Sequence, residues 1–156
     1  MRFKALPVSS LEDVTVDLEQ LQAKFAITWH PLPYATGAGT GNWQDAGIAG
    51  SVGAQYMIDP MGFGRLRGLV KNGTAAGYPS TNTLIGTLPS GFRPASSVVF
   101  TGQAVDSLSH TINIGLMVSS AGLVTLSGSD YPAPAGNNGT FNFVSLFQCP
   151  PFDLSS

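Results

Sequence analysis

The chain has 156 residues, of which 43% are hydrophobic and only 10% charged, and its formal net charge is −2. That length holds one domain with an appendage, and the charged fraction is far below the ~25% usual for soluble domains. The negative balance speaks against phosphate neutralisation, a single Cys149 rules out an intrachain disulfide framework, and no run approaches the ~18 apolar residues of a membrane span, so neither nucleic acid nor membrane insertion is expected.

The first ten residues lack the apolar core of a secretory signal and are too short to fold alone, so they read as an attachment segment for another protein. Residues 11–25 carry the one helical pattern. Leu11, Val14, Leu18, Leu21 and Phe25 recur at spacings of three and four, which is the a/d stripe of a heptad repeat. Ser9 and Glu12 form a capping box ahead of it. Two readings fit: a helix that packs on its own domain, or a short coiled coil joining several copies through those five residues. The charge distribution favours the coiled coil. Seven of the sixteen charges precede residue 26 and no Glu follows Glu19, so the helix has an outer face suited to water while the rest does not. A helix of this length is marginal alone, and Val14 at a d position disfavours a two-stranded coil.

Residues 28–42 are expected to be a neck and flexible loop, because Pro31 and Pro33 exclude a central strand and Gly37, Gly39 and Gly41 follow. From Trp43 onward the pattern is β. Residues 55–59 and 65–71 flank a glycine-bearing hairpin loop; Leu66, Gly68 and Val70 share one face, and Arg65, Arg67, Leu69 and Lys71 the other. Arg65 and Arg67 have Asp59 or a neighbouring subunit as partners. Short strands are predicted over 83–88, 97–105, 110–118, 123–127 and 140–148. The cleanest is 110–118, with His110, Ile112, Ile114, Leu116 and Val118 on one face. The last carries Val144 and Leu146 opposite Phe141, Phe143 and Phe147, so it is either central or covered by a subunit. With 19 Gly and 11 Pro punctuating these strands, an antiparallel β-sandwich or jelly-roll body over 43–156 is expected, preceded by the coiled-coil helix over 11–27.

No catalytic residue is expected. The two histidines, His30 and His110, lack a third metal ligand in any recognised spacing, no nucleophile elbow is present, and the five aspartates after the helix are isolated in sequence. No metal or cofactor follows from the pattern. Asn72 and Asn138 each open an Asn-Gly-Thr sequon but read better as Asn-Gly turns. Aromatics beside loops suggest binding instead. Trp29, Tyr34, Trp43, Tyr78 and Tyr131 lie in or beside such loops, and of these Trp43, Tyr78 and Tyr131, with Asn137 and Asn138, are the candidates for holding a sugar ring by stacking and hydrogen bonds; the alternative is that such rings plug loop bases or subunit interfaces.

Two segments together, YMIDPMGFGRLRGLVKNG over 56–73 and TLPSGFRPA over 87–95, resemble the head domain at the C-termini of phage tail fibres and minor tail proteins. Trp43-Gln44 upstream and residues 144–147 fit the same pattern, so the resemblance spans about residues 43–148. It implies a homotrimeric β-rich head displayed on a virion, tail or capsid, contacting a host-surface glycan or protein. The short region ahead of the body departs from long fibres and points to a small appendage held through residues 1–10. The alternatives are a capsid decoration protein and, further off, a glycan depolymerase.

Overall fold

The computed structural model describes residues 27–36, 42–72, 83–106, 109–128 and 141–155. The expected attachment segment and the heptad residues Leu11, Val14, Leu18, Leu21 and Phe25 lie outside the described residues.

Ten strands follow in chain order: β1 (His30–Pro31), β2 (Trp43–Asp45), β3 (Gln55–Ile58), β4 (Gly64–Arg67), β5 (Leu69–Asn72), β6 (Leu84–Thr87), β7 (Val98–Asp106), β8 (Thr111–Val118), β9 (Leu123–Gly128) and β10 (Phe141–Ser145). Every strand pairing is antiparallel, and among the described residues there is no helix. The all-β expectation is met. The arrangement is one nearly closed sheet, and two devices produce it.

The first is Gly68. A seven-stranded sheet runs β2-β5-β10-β7-β8-β9-β6 and a three-stranded sheet runs β1-β3-β4. β4 and β5 are one run of chain interrupted only at Gly68, so the two sheets share it. Gly68 has φ of 120°, and a Cβ there would stand 2.1 Å from the Gly53 carbonyl oxygen. Only glycine allows both the backbone angle and the approach. The second device is the segment after β1. Tyr34 bridges Gly86, the Ala35 N–H donates to the Ile85 carbonyl at 3.0 Å, and the Thr87 N–H donates to Pro33 at 3.1 Å. This brings the chain leaving β1 onto the outer edge of β6 and covers an edge that would otherwise be open.

The alternation read in the sequence matches the burial from Ile112 onward, while His110, expected on the same face, precedes β8 and is exposed. Ile112, Ile114, Leu116 and Val118 of β8 are buried while Thr111 and Asn113 are exposed. Leu66 and Val70 point inward, and Arg65 and Arg67 outward, on β4 and β5. Val144 and Leu146 are fully buried, and β10 lies between β5 and β7, so its apolar character is that of a central strand. β10 ends at Ser145, three residues earlier than expected, and Phe147 sits in the following turn, 53% exposed. Each fully buried Leu, Ile or Val contributes roughly 1.5–3 kcal/mol through removal from water.

The proline-flanked stretch predicted as a neck is extended, as its prolines require, and is built into the body. The Leu32 N–H donates to the Ala54 carbonyl at 2.8 Å, and the Leu32 side chain is 3% exposed within the core. The C-terminal residues are tied down as well: Phe152 exchanges backbone hydrogen bonds with Gly64 at 2.8 and 3.1 Å, and its ring occupies the space a Cβ at Gly64 would need.

Candidate functional site

The β3–β4 hairpin is held by one carboxylate. Asp59 Oδ1 accepts the N–H groups of Met61 and Phe63, both at 3.0 Å, and Oδ2 accepts Arg65 Nε at 2.8 Å and Nη2 at 2.7 Å. The expected pair between Arg65 and Asp59 across the hairpin is present. Burial by itself would raise the Asp59 carboxyl. The Phe63 N–H, the Arg65 guanidinium and the Met61 N–H outweigh it and hold the group below its ordinary 3.8.

One strand position further, Arg67 is fixed from two sides. Its Nε and Nη2 donate to Gln55 Oε1 at 3.0 and 2.7 Å, and its guanidinium carbon lies 3.8 Å from the centroid of the Trp29 ring. Behind this, His30, Tyr56 and Phe92 form a ring cluster: His30 stacks on Tyr56 at 5.5 Å, and Phe92 meets Tyr56 edge-on at 4.7 Å.

Between the hairpin and the end of β10 runs a groove of about 590 Å³. Ile27, Trp29, Met57, Met61 and Phe147 supply most of its apolar lining, with the Asp59–Arg65 pair and Arg67 along one side. Ile27 is 56% exposed and Met61 81% exposed. Cys149 borders the groove from within. It is buried, and burial pushes its thiol up to about 12, so it stays protonated.

A second polar joint lies where three segments meet. The Tyr34 hydroxyl donates to the Asp45 carboxylate and accepts the Ala54 N–H at 3.0 Å. Burial and then the carboxylate partner push the phenol above its ordinary range. Gly53 leaves the room this needs, since a Cβ there would coincide with the Asp45 carboxylate.

Of the aromatics beside loops, Trp29 lines the groove and Tyr34 makes the polar joint. Trp43 belongs to the core at 4% exposure, packed where β2 lies along β5, so its ring has no face to offer a ligand. This corrects the reading of Trp43 as a ligand-stacking residue. A loop-like neighbourhood in sequence does not reveal that the next three residues pair with a central strand. Tyr78, Tyr131, Asn137 and Asn138 lie outside the described residues. The sequence does not show the groove as a unit because its lining is drawn from four separated stretches; the one available signal was Trp29, an aromatic beside prolines. Among the described residues no group of three or more His, Cys, Asp or Glu is placed to hold a metal ion, and no helix is long and apolar enough to cross a membrane.

No protein-family model matches the sequence, and no curated protein matches it. Among solved structures, the fold is similar to the receptor binding protein (gp15) of Listeria phage PSA, with a TM-score of 0.59 at 10% sequence identity. The match covers 93% of this chain and 75% of that one. At that identity the likeness is one of fold.

Proposed function

We propose that the chain is a phage virion protein of the receptor-binding type, a homotrimer whose β body contacts the host cell surface during adsorption. The observation that carries this reading is the shared fold with a phage receptor binding protein across nearly the whole chain. The charge-poor composition and the motif pair at 56–73 and 87–95 support it independently of the fold. In this reading residues 11–27 form a short coiled-coil stalk, residues 1–10 attach to another virion protein, and the body binds a glycan or protein of the envelope without catalysing a reaction. Three identical bodies on one stalk convert weak single contacts into effective adsorption through their shared effective concentration.

The test is competition. Purified full-length protein should bind host cells and slow adsorption of the phage that carries it. Gold-labelled antibody should mark the tail tip of the virion. Labelling of the capsid surface with no effect on adsorption would overturn the proposal in favour of a decoration protein, and release of reducing sugar from the envelope would replace binding with catalysis.

A further inference from the structure

Of the seven exposed large hydrophobic residues among those described, three, Ile27, Met61 and Phe147, meet at a single groove. Apolar patches that persist on a folded surface mark contact sites. The polar groups along this groove are already engaged: Arg65 with Asp59, and Arg67 with Gln55 and the Trp29 ring. A sugar needs convergent polar groups for its hydroxyls, so the lining suits an apolar protein surface better.

Position identifies which surface. Ile27 follows Phe25, the last residue of the heptad stripe, by two positions. Two residues of extended chain reach at most about 7 Å. If copies associate through that stripe, Ile27 and Trp29 of every copy are held close to the common axis, and the groove they line faces the neighbouring copy. The geometry points to the groove between the β3–β4 hairpin and the end of β10 as the contact with a second copy of this chain at the base of the stalk. This rests on the homotrimer reading above and adds to it the surface used. Host contact then falls to the parts of the body away from this end. The same placement explains why Met61 and Phe147, both at turns, are apolar: in a cyclic assembly they are covered.

The test uses the full chain and light scattering across a dilution series. Wild type should have the mass of three chains. Met61→Asp combined with Phe147→Asp should raise the concentration of half-dissociation by at least about tenfold, as loss of central interface anchors does. Val99→Asp, an equally exposed apolar position on β7, should leave it unchanged. A wild-type trimer unaffected by the double variant overturns the inference while leaving the proposed function standing; so does equal dissociation by Val99→Asp. A monomeric wild type overturns both the trimer and the groove's occupant, and the adsorption assay then judges host contact by itself. A host glycan that binds wild type and loses binding in the double variant, with mass unchanged, would reassign the groove to the host ligand and overturn the inference. If the double variant loses its β circular dichroism, Ile27→Cys keeps the question open to decision. Close to the axis, its copies should be joined by a short bis-maleimide, with the buried Cys149 silent; absence of joined chains overturns the proposal.

Discussion

The guanidinium of Arg67 lies 3.8 Å from the centre of the Trp29 ring while both of its engaged nitrogens donate to the same oxygen of Gln55. A planar fork meets both demands at once, with its face on the indole and its edge on the amide. Lysine has neither the plane nor the paired donors. Arg67→Lys should therefore behave like Arg67→Ala, each lowering stability by about 1 kcal/mol, the size of a partly exposed cation–π contact with its hydrogen bonds. Acrylamide quenching of tryptophan emission should rise in both variants, because Trp29 loses its cover and Trp43 stays in the core. Retention of wild-type quenching by Arg67→Lys would mean that the charge, not the shape, holds the ring.

Gly68 and Gly62 both have positive φ, but their surroundings differ. A Cβ at Gly68 would meet the Gly53 carbonyl at 2.1 Å, while one at Gly62 meets nothing within 4 Å. Gly62→Ala should cost only the backbone strain, about 1 kcal/mol, and Gly68→Ala about 3 kcal/mol or more, because the joint between β4 and β5 must open. Urea denaturation of both variants checks the order. Equal costs would show that the approach of residues 53 and 68 relaxes freely.

Leu32 tests whether the proline-flanked segment is part of the body. At 3% exposure in the core, Leu32→Ala should destabilise the whole body by about 2–5 kcal/mol in a single cooperative transition. A neck outside the fold would lose almost nothing.

The Asp59 carboxyl is held below its ordinary value of 3.8 in the folded chain. A depressed carboxyl contributes stability that is fully present above the unfolded value and is lost as pH falls through the folded one. The melting temperature of wild type should hold with respect to this group from neutral pH down to about that value, then fall as Asp59 takes up a proton and releases Arg65 and the two hairpin N–H groups. Asp59→Asn should be less stable at neutral pH and show a shallower acid fall. An unchanged acid limb in the variant would assign that limb to other carboxylates.

Cys149 should be inert while the protein is folded. Burial pushes its thiol up to about 12, so little thiolate exists at mildly alkaline pH. A disulfide reagent should label it only on unfolding, at a rate that tracks denaturant. Rapid labelling of the native protein would show that the groove beside it opens far enough to admit the reagent.

What the sequence determined by itself is the local alternation. A period of two along residues 110–118 and 65–71 places Ile112, Ile114, Leu116 and Val118, and Leu66 and Val70, on buried faces with no knowledge of their neighbours, because successive strand side chains must point oppositely. The 59–64 hairpin was equally legible, since its glycines and turn length act over a few residues. Tertiary structure alone decided the rest. Trp43 looked like a surface aromatic beside a glycine loop, and pairing of β2 with β5 put it in the core. The 30–35 segment looked like a neck, and hydrogen bonds to β3 and β6, distant in sequence, made it the stave that nearly closes the sheet. The groove likewise joins Ile27, Met61 and Phe147, residues with no sequence relation, because a nearly closed sheet brings the segment leading into β1, a hairpin and the turn after a central strand to one place. Alternation is a property of neighbouring residues and survives in the sequence; closure and site assembly depend on long-range pairings that no local pattern encodes.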